Sequence, residues 1–119
     1  LEIDLMGQVA SESIGPRQFS GTGGAADFAS GALRSKGGRG IIAFNSTTKN
    51  GTISKIKPLL TPGAAVTISR NLVDTVITEF GVAELKGRTV PERAMALISI
   101  AHPDFRDSLL EDAKTYGFI

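Results

Sequence analysis

The chain has 119 residues, of which 41% are hydrophobic, with a formal net charge of +1 and no cysteine. This length suits one modest domain with a core of its own. The near-neutral charge argues against a nucleic-acid-binding surface, and the lack of cysteine excludes disulfides and cysteine–metal sites. With a single histidine, no metal site is predicted. No apolar run approaches the ~20 residues that a membrane span needs, so the composition fits a cytoplasmic protein.

The first five residues, Leu-Glu-Ile-Asp-Leu, alternate between apolar and acidic side chains. That alternation predicts a strand with one buried face. The chain therefore begins within a strand and without a methionine. We expect it to be a fragment of a longer protein, so that residues outside it complete any site.

A glycine-rich turn follows, Ser-Gly-Thr-Gly-Gly at residues 20–24. Apolar residues then recur at helical spacing, which predicts that the turn opens a helix: Ala25, Phe28, Ala29, Ala32 and Leu33. The unpaired N–H groups at such a helix end attract anions and can stabilise an oxyanion. The glycines could equally serve only to let the helix pack closely, and the local sequence leaves both interpretations open.

The remainder alternates between predicted strands and helices. The apolar run Ile41–Phe44 predicts a buried strand, and Asn50-Gly51 predicts a tight turn. Further strands are predicted at 53–56, 65–68 and 75–78, and two helices start near Pro91 and Pro103, the second capped by Gly117. The expected fold class is therefore α/β, an open mixed sheet with flanking helices.

Four polar positions are candidates for chemistry. Lys49 precedes the predicted turn at 50–51 and either reaches a phosphate or carboxylate or sits on a solvated hairpin tip. Glu79 ends an apolar strand, a common place for a functional carboxylate, although an ordinary ion pair with a lysine would also explain it. Arg70 follows another strand and has the chemistry to bind a phosphate. His102 is expected to cap or pack a helix rather than to catalyse.

Taken together and in order, these segments resemble the C-terminal part of the acetyl-CoA hydrolase/CoA-transferase family, which includes 4-hydroxybutyrate, butyryl and acetate CoA-transferases. The resemblance extends from residue 1 to about residue 110. It rests on an ordered set of motifs, at 1–9, 21–28, 35–38, 48–54, 76–87, 92–94 and 101–106. Such a set is far more specific than any one motif within it.

The resemblance implies a CoA-transferase (NagB/RpiA-like) fold, with residues 1–119 forming a partial, single domain at the C-terminal end of a larger two-domain enzyme. It implies that a glutamate attacks an acyl-CoA thioester and becomes a glutamyl-CoA thioester, from which a carboxylate such as acetate, butyrate or 4-hydroxybutyrate takes the CoA. That glutamate precedes residue 1 in the family, so Glu79 is not the nucleophile, and the chain alone is expected to be inactive.

The resemblance also assigns residues. Gly24 falls at the oxyanion-hole position, and Lys49 and Glu79 fall at active-site positions. The CoA-binding set is Gly21, Gly23, Gly24, Ala25, Lys49, Asn50 and Gly51. Coenzyme A enters as a substrate, with no covalently bound cofactor. The implied partners are small carboxylates, the missing N-terminal domain and further copies in a homo-oligomer, with no nucleic acid and no membrane.

Two alternatives remain. Thioester hydrolysis with water as the acceptor uses the same segments, so the sequence does not separate it from transfer. A non-catalytic ligand-binding or assembly module with the same fold is the other. The retention of Lys49, Glu79 and the glycine pair at 23–24 favours an enzyme over such a module.

Overall fold

The computed structural model of the chain describes all 119 residues. Strands and helices interleave along the chain, as the sequence predicts. They are β1 (Glu2–Asp4), β2 (Val9–Ala10), β3 (Ser13–Ile14), β4 (Arg17–Gln18), α1 (Ala25–Arg34), β5 (Ile41–Ala43), β6 (Thr47–Thr48), β7 (Ile53–Ser54), β8 (Ile56–Lys57), β9 (Thr75–Thr78), β10 (Gly81–Glu84), α2 (Val90–Ser99) and α3 (Pro103–Thr115).

The strands form two three-stranded sheets, in the orders β2-β1-β8 and β10-β9-β5, and two short hairpins, β3-β4 and β6-β7. In each three-stranded sheet the central strand pairs antiparallel with one neighbour and parallel with the other. The predicted α/β class with mixed strand pairing is therefore confirmed. The sheet is nevertheless divided into two parts.

A single cluster of 16 buried hydrophobic residues forms the core. Helices α2 and α3 pack against each other and contribute the buried residues Ala94, Leu97, Ile98, Leu109 and Ala113. Both of the helices predicted after residue 90 are therefore present, and each buries one apolar face. None of the three helices is long and apolar enough to cross a membrane.

Both of these helices begin at side-chain caps. Thr89 and Glu92 form a reciprocal capping box in which the Thr89 N–H donates to Glu92 Oε2 at 2.7 Å, and Pro91 lies in the first turn. His102 caps α3, because its Nδ1 accepts the backbone N–H two residues further on at 3.2 Å. Gly117 ends α3 at a φ of +72°, which is a glycine conformation. The predicted starts and the predicted capping roles of His102 and Gly117 are confirmed.

The first strand departs from its predicted pattern, because both of its faces are buried. β1 is the central strand of its sheet, so its acidic residues point into the protein instead of into water. Asp4 accepts hydrogen bonds from the backbone N–H groups of Met6 and Gln8. Glu2 lies 2.8 Å from Lys57 Nζ and also accepts the Thr61 N–H. Burial alone would raise the pKa of Glu2, but these hydrogen bonds lower it below its ordinary value.

Two predicted strands take a different form. The segment 53–56 is divided at Lys55, whose N–H donates to Ser46 O at 2.8 Å, because the chain changes partner there from β6 to β1. The segment 65–68 is not a strand, since only Ile68 forms an isolated bridge, to β2. Within this segment Thr67 and Ile68 are buried, whereas Val66 is 46% exposed.

The apolar segments on either side of residue 37 are more exposed than their sequences predict. Strand β5 ends at Ala43 and lies at a sheet edge, with Ile41 55% exposed, so the prediction of a buried strand over Ile41–Phe44 is wrong for this part of the sheet. Helix α1 forms as predicted, but it contains no buried residue, and Phe28 is 81% exposed.

Candidate functional site

Strands β5 and β9 run parallel, so their carboxyl ends meet at one edge of the sheet. Glu79 directly follows β9, and Ser46 lies three residues beyond the end of β5. The Ser46 N–H donates to Glu79 Oε1 at 2.7 Å, across 33 residues of sequence. The carboxyl edge of this sheet therefore holds a carboxylate in a defined position, as expected for Glu79 at a strand end.

The Glu79 carboxylate is exposed and its pKa is lowered, chiefly by the hydrogen bond from the Ser46 backbone. The small loss of hydration acts in the opposite direction, whereas the nearby His102 adds to the lowering. Glu79 is therefore an anion at neutral pH. A carboxylate that already accepts a backbone N–H is a weaker base and a weaker nucleophile, so this environment suits a hydrogen-bond acceptor that orients its neighbours.

Ser46 is a site residue that the sequence analysis missed. It is fully buried, and its hydroxyl is the one buried side-chain polar atom with no hydrogen-bond partner. The hydroxyl lies close enough to favour the Glu79 anion, without forming a hydrogen bond of regular geometry. A signal was present in the sequence, because polar residues follow the apolar run of β5 just as Glu79 follows β9.

The β6-β7 hairpin begins immediately after Ser46 and carries Lys49, Asn50 and Gly51 at its tip. All three adopt positive φ, at +50°, +57° and +85°, which confirms the tight turn predicted at 50–51. The Lys49 carbonyl accepts the N–H and hydroxyl of Thr52, but its ammonium has no hydrogen-bond or ion-pair partner. Lys49 is therefore an exposed cation on a turn fixed by its own backbone.

The glycine turn leads into α1 with Gly24 as the N-cap. No side chain caps this helix, and the Gly24 N–H makes no hydrogen bond within the chain. Gly23 adopts a φ of +61°, which favours glycine at that position of the turn. Gly21 does not adopt a positive φ. Asp27 lies in the first turn, where a carboxylate complements the helix dipole. Free amides at a helix N-terminus give this end the chemistry to receive an anion.

The structure brings together some of the candidates and not others. Glu79 and Ser46 are in contact. The His102 ring packs edge-to-face against Phe80, the residue that follows Glu79, with 5.4 Å between the ring centroids. No hydrogen bond or ion pair joins the glycine turn or Lys49 to this group. Arg70 is exposed at another part of the surface, with its guanidinium 3.5 Å from the sulfur of Met6.

An apolar cavity lies elsewhere, between α1 and the start of β5. It has a volume of about 430 Å³ and is lined mainly by apolar side chains, among them Leu1, Ala25, Phe28, Ile41, Ile42 and Leu72. We refer to it as the α1 groove. The sequence analysis did not predict it, because the apolar faces that line it were expected to be buried.

Comparison with known proteins identifies the relatives of this chain. Residues 1–113 match the acetyl-CoA hydrolase/transferase C-terminal domain. Over 114 residues the chain is 60% identical to the succinyl-CoA:cyclohexane-1-carboxylate CoA transferase of Geobacter metallireducens, covering 96% of this chain and 26% of that protein. It is also 60% identical over 114 residues to the 4-hydroxybutyrate coenzyme A transferase of Clostridium kluyveri, covering 96% and 27%.

Among solved structures, RipA from Yersinia pestis superposes with a TM-score of 0.92 at 46% identity, covering all of this chain and 27% of that one. The chain thus spans about a quarter of the length of these relatives. The match over residues 1–113 confirms the resemblance drawn from the ordered motifs. The chain belongs to the acetyl-CoA hydrolase/transferase family, through the C-terminal domain of that family.

Proposed function

We propose that the chain is the C-terminal domain of a CoA-transferase that moves CoA from an acyl-CoA thioester to a small carboxylate. The observation that carries the proposal is the match of residues 1–113 to the family's C-terminal domain, at 60% identity to two CoA-transferases. Residues 1–119 then form one domain of a longer, two-domain, cytoplasmic and homo-oligomeric enzyme. Its CoA substrate binds without any covalently held cofactor.

In this proposal a glutamate outside the chain is the nucleophile. Its carboxylate oxygen attacks the thioester carbon, the C–S bond breaks, and CoA leaves as the thiolate. The thiolate then attacks the glutamyl carbonyl of the mixed anhydride and releases the first carboxylate, which leaves a glutamyl-CoA thioester. An incoming carboxylate repeats the sequence in reverse and leaves with the CoA. The hydrogen bond that Glu79 accepts from the Ser46 backbone supports a positioning role for this carboxylate in the proposal.

The residues of the chain receive defined roles. The Gly24 N–H donates to the oxyanion that develops when the thioester carbonyl is attacked, and its lack of an acceptor within the chain supports this role. Gly21 and Gly23 shape the loop, and the Ala25 N–H extends the same donor array. The cation of Lys49, with Asn50 and Gly51 beside it, binds CoA or balances the charge of the carboxylates. Glu79, held by Ser46, orients the reacting groups.

The experiment that tests this proposal compares transfer with hydrolysis. The full-length protein that contains the chain is supplied with acetyl-CoA or butyryl-CoA, with and without acetate, butyrate or 4-hydroxybutyrate. New acyl-CoA is measured by chromatography, and free CoA by its thiol. Transfer that requires the carboxylate supports the proposal. Thiol released at the same rate without a carboxylate would assign hydrolysis instead, and neither product with any acyl chain would favour the non-catalytic module.

A second readout locates the nucleophile. Enzyme incubated with acyl-CoA alone should gain the mass of CoA less water, and peptide mapping should place that adduct outside residues 1–119. An adduct on Glu79 would overturn the assignment of roles while leaving the transferase reaction in place.

A further inference from the structure

The tip of the β6-β7 hairpin holds Asn50 and Gly51 in a conformation that leaves two groups free to react. The Asn50 side chain is exposed and makes no hydrogen bond, and the Gly51 N–H has no acceptor within the chain. The space around Gly51 is open, since a Cβ added there would meet no atom within 4 Å. The side-chain amide carbon of one residue and the backbone nitrogen of the next are therefore both accessible.

The hydrogen bonds that close the turn bypass these two groups. The Lys49 carbonyl accepts the Thr52 N–H at 3.3 Å and the Thr52 hydroxyl at 2.8 Å. Lys49 and Asn50 adopt φ values of +50° and +57°, a conformation that asparagine and aspartate tolerate better than most residues do. A change in the Asn50 side chain therefore leaves the closing bonds in place.

The other two asparagines of the chain precede nitrogens that are already bonded. Asn45 is followed by Ser46, which is buried and whose N–H donates to Glu79 Oε1 at 2.7 Å. Asn71 is followed by Leu72, whose N–H donates to a backbone carbonyl at 2.9 Å and whose side chain crowds the nitrogen. Of the three asparagines, only the one at the hairpin tip has a free and unshielded nitrogen after it.

We propose that Asn50 is a modification site at which the protein deamidates without an enzyme. The Gly51 nitrogen loses its proton to hydroxide and attacks Cγ of Asn50. The C–N bond of the side-chain amide breaks, and the departing group takes a proton from water and leaves as ammonia. The resulting succinimide ring is then opened by water at either of its carbonyl carbons, which restores a backbone N–H and gives aspartate or isoaspartate at position 50.

Either product places a new carboxylate beside Lys49. An aspartate with its ordinary pKa of about 3.9 is ionised at neutral pH, so the hairpin tip changes from a single cation to a pair of opposite charges. The consequence for activity rests on the proposed function, in which Lys49 meets the anionic CoA. A negative charge at that place should weaken CoA binding without altering the reacting groups.

Peptide mapping of the full-length protein tests the modification directly. Trypsin places the three asparagines in separate peptides, at 40–49, 50–55 and 71–86. When the folded protein is kept at mildly alkaline pH, peptide 50–55 should gain the mass of an amide-to-acid change more than about tenfold faster than either of the others, because their nitrogens react only after local opening. Conversion of peptide 50–55 no faster than that of peptide 71–86 would overturn the proposal.

The same measurement in concentrated urea separates the effect of the fold from that of residue type. Unfolding releases the Ser46 N–H from Glu79, so conversion of Asn45 should accelerate by more than about tenfold. Conversion of Asn50 should change by less than about tenfold, because its neighbouring nitrogen is already free in the folded protein. A larger acceleration of Asn50 would show that the fold protects this site, against the proposal.

Steady-state kinetics test the consequence for CoA. Asn50→Asp should raise the KM for acyl-CoA about threefold to tenfold with little change in kcat, whereas the matched Asn71→Asp adds the same charge to another exposed residue and should leave the KM unchanged. An unchanged KM in Asn50→Asp would overturn the charge effect and the place of Lys49 in the CoA site. An inactive enzyme whose peptide 50–55 still deamidates would refute the proposed function and keep the modification site.

Discussion

The sharpest test of the proposed site is removal of a single amide. Gly24→Pro deletes the N–H at the N-cap of α1, and it adds a Cβ that lies 3.3 Å from Cε2 of Phe28. If that N–H stabilises the oxyanion, turnover in the full-length enzyme should fall by about 10²–10³-fold, which corresponds to about 2.7–4 kcal/mol of lost transition-state stabilisation. The KM for acyl-CoA should change little, because the bond forms chiefly as charge develops.

Gly24→Ala is the matched control, because it keeps the amide. The φ of Gly24 is −98°, which any residue adopts. An added Cβ would lie 3.3 Å from Cε2 of Phe28, closer than most such contacts, so the ring must move by a few tenths of an ångström. The ring is 81% exposed at the surface of this domain and has room to move. We expect Gly24→Ala to keep turnover within about tenfold of the parent.

Steady-state kinetics of both variants, together with their thermal unfolding, decide between the explanations. A Gly24→Pro enzyme that unfolds like the parent and retains its turnover would refute the role of the amide. An equal loss in Gly24→Ala would show that space around the turn matters, instead of the N–H.

Three further predictions concern the full-length protein. Glu79→Gln should lower turnover about 10²-fold by misplacing the reacting groups, while the CoA adduct seen by mass spectrometry still forms. Glu2→Gln should cost about 1–3 kcal/mol of unfolding free energy at pH 7, because it breaks the ion pair with Lys57. The pKa of Glu2 is lowered in the folded protein, so the stability difference between parent and variant should fade as the pH falls below about 4 and through that pKa. Denaturant titrations at pH 7 and pH 3 measure this difference. Gly63→Ala should lower the melting temperature more than Gly87→Ala, since both have positive φ but only at Gly63 would the new Cβ meet a backbone nitrogen, at 3.0 Å.

Local signals in the sequence were sufficient for the elements that are fixed by local bonds. Pro91 predicted the start of α2, and the capping box of Thr89 and Glu92 closes within four residues. The Asn50-Gly51 turn was equally predictable, because its backbone conformation depends on the residue types at the tip. The ordered motifs identified the family, which no single local pattern could do.

Strand partners and the contacts across them could not be predicted in the same way. The bond from Ser46 to Glu79 joins residues 33 positions apart, and it exists only because β5 and β9 are parallel neighbours in one register. Periodicity describes which face of a strand is apolar, but not which strand lies beside it. For the same reason the burial of Glu2 and Asp4 in a central strand was not visible from their alternation with apolar residues.

The two clearest departures from the sequence expectations lie on one surface of the structure. The apolar face of α1 and the apolar run of β5 both predict burial, both are exposed in this structure, and both line the α1 groove. Burial of Phe28 and Ile41 would contribute about 1.5–3 kcal/mol each, so such side chains are seldom left in water without a partner. The two mismatches therefore lie on one surface, beside the unpaired edge of β5, and periodicity alone could not show that this surface is left uncovered in the chain.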